Sequence, residues 1–361
     1  MYICQPTFTN MKAIIGQRIK NSRVHKGLSL QEVADEIGVT KQMISKYEQG
    51  KSVPTSEKLI ALSKLFHQKV DYFFRKPEIT IGEISFRKKS KFGTKKVNAL
   101  KEEIRIQIEN YLYIENICEV SNSFQNPIQN KAIENETAVK NAVTFLREYW
   151  NIGQDVIHNI IDLLEDNHIK VIEIDDETGG FDGLATIIEA KYHIIVIAKN
   201  MPIERKRFTL LHELGHLLLP VGNLEVKKQE RFCNVFASEM LLSEGNVLVE
   251  FGKQRSRIAF EELKNVQEKY GISISAIVYK LGETKIMSQD RVKRFYQQLN
   301  FDADLKQLTE QSRYDGLAYS NRYENLVYRA VSEELISISK ASSLLQISLE
   351  ELKNKLTANI R

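Results

Sequence analysis

The chain has 361 residues, 42% of them hydrophobic and 27% charged, which suits ordinary globular packing and is enough for two or three compact domains. No stretch reaches the ~18 unbroken apolar residues of a membrane helix, and the N-terminus lacks a basic segment followed by an apolar run and a small-residue cleavage site, which points to the cytoplasm. The net charge of +4 hides an asymmetry: residues 1–100 carry 19 Lys and Arg against 8 Asp and Glu, the other 261 carry 32 against 39, and a basic front end of this kind suits a polyanion.

Residues 1–10 show no pattern, and Met11 would make a credible start for the first domain. From Ile14 to Phe74 the apolar positions recur with helical period, among them Ile15, Ile19, Val33, Ile37, Ile44 and Leu62, and predict four or five short helices. Ser29 is placed to cap a helix over residues 30–37, with Glu32 as its capping-box partner. Gly38 ends that helix, and Thr40 caps the next, over 41–49. Two helices joined by so short a turn make a helix-turn-helix. On the second helix Lys41, Gln42, Ser45 and Lys46 share a face, while Met43, Ile44 and Tyr47 point toward the bundle. Gln42 and Ser45 can reach base edges and Lys41 and Lys46 suit phosphates; with Gln31 on the preceding helix they are the candidate DNA contacts.

The stretch SLQEVADEIGVTKQMISKYEQGKSVPTSEKLIALSKLF resembles the XRE-type, Cro/repressor-like helix-turn-helix family across residues 12–74, with Ala34, Gly38, Ile44, Ser45, Glu48, Gly50 and Pro54 where that pattern expects them. The resemblance implies an N-terminal five-helix bundle that binds a double-stranded operator, commonly as a homodimer on two half-sites.

Residues 75–97 follow as a basic hinge with Arg87, Lys88, Lys89, Lys91, Lys95 and Lys96, and a long helical segment over about 97–119 reads as a spacer or a dimer contact. Cys4, Cys118 and Cys233 are widely spaced and odd in number; they suit a reducing compartment and carry no assigned chemistry.

The strongest chemical signal is His212-Glu213-Leu214-Gly215-His216. Start signals at Asn200 and Pro202 and a stop at Pro220 predict one helix of about five turns. Residues four apart on a helix lie one above the other, so His212 and His216 can chelate one ion while Glu213 projects beside it as a base. Phe208, Leu210, Leu211, Leu214, Leu217 and Leu218 make the helix apolar nearly all round and require its burial, which leaves the polar stripe in need of partners. A catalytic zinc needs a third protein ligand, for which Glu230 leads over Glu225 and Glu239. Asn234, one turn beyond Glu230, is placed to orient that carboxylate from behind. His193 and Tyr192 are candidate oxyanion donors, and the segments around 179–188 and 191–200 alternate like a hairpin whose edge suits an extended substrate.

DGLA at 182–185, HIIVIA at 193–198, ERKRFTLLHELGHLLLP at 204–220 and E-x-x-C-N-x-F-A at 230–237 together resemble the ImmA/IrrE-type metallopeptidases, a gluzincin-like family, over about 140–250. That family usually has Ala where Cys233 stands. The resemblance implies that His212, His216 and Glu230 bind one catalytic zinc ion, with another divalent metal as the alternative, and that Glu213 is the general base. It further implies a protein substrate, frequently a repressor, in stress or mobile-element control. The contrasting expectation is a transcription factor whose metal-site domain is a non-catalytic sensor or structural module.

Residues 255–361 are helical in period and read as a cap or substrate-sensing part, with SISKASSLLQISLEELKNKL resembling the tail common in that family. A helix over 349–356 would carry Glu350 and Glu351 and repel phosphates, so its helix-turn-helix cadence does not make it a second DNA reader. The expected fold is mainly α with a small β-sheet (α+β). Its parts are a helix-turn-helix domain at 12–76, a basic linker and helical spacer at 77–135, a zincin-like metallopeptidase domain at 136–255 and a helical region at 256–361.

Overall fold

The structure is a computed structural model and describes residues 8–75, 94–175, 180–255 and 257–357. The fold is mostly helical with a small sheet, and the chain divides into two compact units, Met1–Ser121 with Leu326–Arg361, and Asn122–Asn325. No helix of the described residues is long and apolar enough to cross a membrane.

The first unit opens with α1 (Phe8–His25), α2 (Leu30–Ile37), α3 (Lys41–Glu48), α4 (Ser56–Phe66) and a 3-10 turn at Val70–Phe74. The capping reads directly from the sequence. Ser29 accepts from the Glu32 amide while Glu32 bonds back to the Ser29 amide, and Thr40 accepts from Met43, caps worth about 1 kcal/mol each. Gly38 ends α2 at φ 66, in the left-handed region. Ile19, Val33, Ala34, Ile44, Leu62 and Phe73 are fully buried between these helices. The 3-10 turn supplies the fifth element of the bundle.

The hinge residues Arg87, Lys88, Lys89 and Lys91, like Cys4, lie outside the described residues. Lys95 and Lys96 are exposed at the start of α5 (Thr94–Ile117), which packs along α1 and is tied to it by Arg18–Glu109 and His25–Glu103 pairs.

The second unit runs through α6 (Glu136–Tyr149), α7 (Ile160–Asp166), β1 (Lys170–Ile174), β2 (Gly183–Ile188), β3 (Tyr192–Ala198), α8 (Ile203–Leu218) and α9 (Val226–Leu241). It continues with α10 (Glu244–Phe251), α11 (Phe260–Tyr270), α12 (Ile274–Glu283), α13 (Gln289–Phe301) and α14 (Ala303–Glu310). The strand order is β1-β3-β2, with β1 parallel to β3 (Lys170 opposite Ile194) and β2 antiparallel to it (Gly183 opposite Ile197). The hairpin turns through Glu189 and Ala190, both at positive φ, and leaves β2 at the sheet edge among the described residues.

Ile195 and Ile197 of the sheet share one core with Leu210 and Leu214 of α8 and Phe232 and Phe236 of α9. Arg207 anchors α8 from inside: fully buried, it donates to the carbonyls of Ile157, His158, Tyr270 and Gly271 at 2.6–3.2 Å and lies 4.4 Å from the Tyr314 ring centre. Burial pulls its pKa below the usual guanidinium value.

Among the described residues α15 (Arg322–Ser332), α16 (Ile338–Leu345) and α17 (Leu349–Thr357) follow, the last carrying Glu350 and Glu351 in its exposed first turn.

Candidate metal centre

Two helices build the site. On α8, His212 and His216 stand one turn apart, their rings edge-on with centroids 4.7 Å apart and their Nε2 atoms 3.0 Å apart. From the start of α9, Glu230 brings Oε2 to 3.3 Å from His212 Nε2 and Oε1 to 3.6 Å from His216 Nε2. Within these three residues, one donor atom from each lies within 4.8 Å of the others. Two bonds of ~2.0–2.1 Å meeting at a tetrahedral angle span about 3.3 Å between ligand atoms, so two imidazole nitrogens and a carboxylate at these separations fit a three-ligand divalent site.

The close approach of the helices depends on Gly215, where an added Cβ would lie 3.2 Å from Cys233 Cα and 3.3 Å from its Cβ. Behind the histidines, consecutive residues of α9 hold the far ring nitrogens. Asn234 Oδ1 is 2.9 Å from His212 Nδ1, and an amide oxygen only accepts, so the proton sits on Nδ1 and the Nε2 lone pair faces Glu230. Asn234 thus meets His212; its spacing in the sequence also suggests the Glu230 carboxylate as a partner. Cys233, fully buried, places Sγ 3.0 Å from His216 Nδ1. Its offset of three residues from Glu230 is the sequence signal that it shares the site.

Glu213 is buried on the strand side of α8. A Cβ added to Gly183 at the start of β2 would come within 3.0 Å of Thr209 and 3.3 Å of Glu213 Cγ, so the edge strand passes directly beside this carboxylate. A cavity of about 560 Å³ adjoins the cluster, lined by Glu230 and Asn234 together with Phe208, Val235, Tyr279 and Tyr296.

The rival acids stand elsewhere. Glu239 is buried in an ion pair with Lys280 at 2.5 Å and accepts from the Glu244 amide, and Glu225 is exposed at the N-terminus of α9. Burial lowers the Lys280 pKa, against the opposing pull of Glu239. His193 packs edge-on against Phe124, with ring centroids 5.0 Å apart, and the phenol of Tyr192 accepts from Lys191.

On the helix-turn-helix, Lys41, Gln42 and Lys46 are exposed along one side of α3. Ser45 is half-buried, its hydroxyl accepting from Gln49 at 3.0 Å, and exposed Gln31 donates to Asp35 at 2.7 Å.

Residues 19–73 match the helix-turn-helix family model, and residues 164–282 match that of the IrrE N-terminal-like domain. The chain joins an XRE-type helix-turn-helix to an IrrE/ImmA-like domain. The IrrE-like match contains all of His212, Glu213, His216, Glu230 and Asn234 and runs on through α12.

Among curated proteins, a prophage-derived HTH-type transcriptional regulator of Bacillus subtilis is 37% identical over 62 residues, 17% of this chain and 57% of its own length. An HTH-type regulator of Rickettsia prowazekii is likewise 37% identical over 62 residues, 17% of this chain and 48% of its own length. The chain spans about half the length of these curated relatives. Among solved structures, the apo form of the regulator ComR from S. thermophilus aligns over 96% of this chain and 100% of its own at 15% identity, with a TM-score of 0.17 that is too low to relate the two folds.

Proposed function

We propose that this chain is a DNA-binding transcriptional regulator whose IrrE-like domain is a zinc-dependent endopeptidase that cuts a repressor or another regulatory protein. The observation that carries this reading is the convergence of His212 Nε2, His216 Nε2 and the Glu230 carboxylate, with Glu213 buried alongside. These three residues would hold the ion, and three protein ligands leave room for solvent and substrate, whereas a structural zinc site closes with a fourth. A divalent ion bound there supplies Lewis acidity, polarising the scissile carbonyl and acidifying water.

The protein's own residues do the rest. Glu213 takes the proton of the attacking water and delivers it to the leaving amine. Asn234 and Cys233 keep the two imidazoles turned toward Glu230. The edge of β2 offers backbone groups to an extended peptide running past Glu213, and the adjoining cavity takes a large apolar side chain of that peptide. Lys41, Gln42, Ser45 and Lys46, with Gln31, carry the contacts to a double-stranded operator, read by a homodimer on two half-sites.

The test is co-expression with the protein products of adjacent genes. Glu213→Gln is expected to retain its metal, read by elemental analysis, and to abolish the cleavage fragment, a loss of at least ~100-fold for a missing general base. His212→Ala is expected to lose the metal as well. A fragment made equally by wild type and Glu213→Gln sinks the peptidase reading and leaves a metal-bearing sensor.

A further inference from the structure

We propose that a cavity inside the first unit, apart from both the DNA-reading helix and the metal centre, is a binding site for a small phosphorylated molecule of about nucleotide size. The cavity measures about 750 Å³, within the range of ~300–1,000 Å³ that encloses small ligands. Residues of α1, α4, the 3-10 turn, α5 and the α16 region line it, and none comes from α3.

Its charge is one-sided. Among the described residues, Lys26, Lys64, Lys69, Arg75 and Lys340 line it, with His25 and His67 between them, against Glu103, which His25 already engages, while Asp71 beside Arg75, Lys340 and Lys69 offsets part of that charge. Arg75 is paired with Asp71, and Lys69 donates to Ser339, so both are held in place; Lys26 and Lys64 are exposed. Phosphate groups, with several strong acceptor oxygens each, suit a set of lysine point charges.

Tyr72 also lines the cavity, 8% exposed. Phe66, Ile106, Leu344 and Ile347 give the apolar wall against which the body of such a ligand packs.

The experiment uses the full chain, with ATP as the charged probe and adenosine as the uncharged one, by calorimetry near 0.15 M salt. Saturable ATP binding with no adenosine binding is expected. The exposed pair Lys26→Glu with Lys64→Glu is expected to weaken it by at least ~10-fold, about one charge-assisted contact. Lys41→Ala with Lys46→Ala, on the DNA-reading helix, is expected to leave it as it is. Absence of saturable ATP binding, indifference to the charge reversals in a variant whose circular dichroism is native, or a loss carried instead by the Lys41 and Lys46 variant would each overturn the proposal. The last result would assign the phosphate affinity to the DNA face.

Discussion

His212 and His216 are the same residue type on the same helix, yet their second nitrogens meet different chemistry, an amide oxygen for one and a thiol for the other. The amide is the stronger acceptor and fixes one tautomer; the thiol is a weak one. Asn234→Ala is therefore expected to lower metal affinity by ~10- to 100-fold, measured by competition with a chromophoric chelator, while the fold survives because the side chain is exposed. Unchanged affinity would remove Asn234 from the site. His193 is a separate case, a buried ring with Nδ1 unsatisfied and a pKa lowered by burial. The unfolded chain takes up a proton near pH 6.5 and the folded chain resists it, so the stability present above ~6.5 falls as the pH drops below that value. His193→Phe is expected to flatten the decline in melting temperature between pH 7.5 and 5.5, and a decline as steep as in wild type counts against this.

At the scale of elements, the site is the crossing of α8 and α9. Arg207 pins α8 to the surrounding loops, Gly215 lets α9 approach, and the Glu239–Lys280 pair fastens the far end of α9 to α12. That pair is nearly free of solvent, so removing one partner strands a buried charge. Glu239→Gln is expected to destabilise the folded chain by roughly 3–5 kcal/mol in urea unfolding, with the loss falling on the second unit. A cost below 1 kcal/mol would mean that solvent reaches Lys280. Helix ends were the most legible part of this layer: Ser29, Gly38 and Thr40 act through neighbours within a few residues, and local chemistry is what a sequence displays. The contact from Asn234 to His212 was not legible, because it depends on the packing angle of two helices, which spacing along one helix does not contain.

For the whole molecule, the excess of Lys and Arg in residues 1–100 and of Asp and Glu beyond it concentrates affinity for polyanions at the front. Operator binding by the full chain is expected to weaken steeply between 50 and 200 mM salt, by ~10³-fold or more if six phosphates are neutralised, and Lys41→Ala is expected to reduce the salt slope by about one. A salt-independent affinity would rule out backbone phosphates as the main contact.

The basic front, the capped helix-turn-helix and the pairing of His212 with His216 follow from the sequence alone, because each rests on composition or on intervals within one helix. The choice of Glu230 over Glu239 is different. Both are acids on α9, and only the tertiary packing commits one to Lys280 and turns the other toward the two imidazoles. The same holds for the thiol behind His216 and for the cationic cavity, whose lining residues are scattered from His25 to Ile347 and meet only when the chain folds back on itself. Intervals along a helix are set by its 3.6-residue turn, whereas contacts between helices are set by side-chain volumes and crossing angles that no single segment contains.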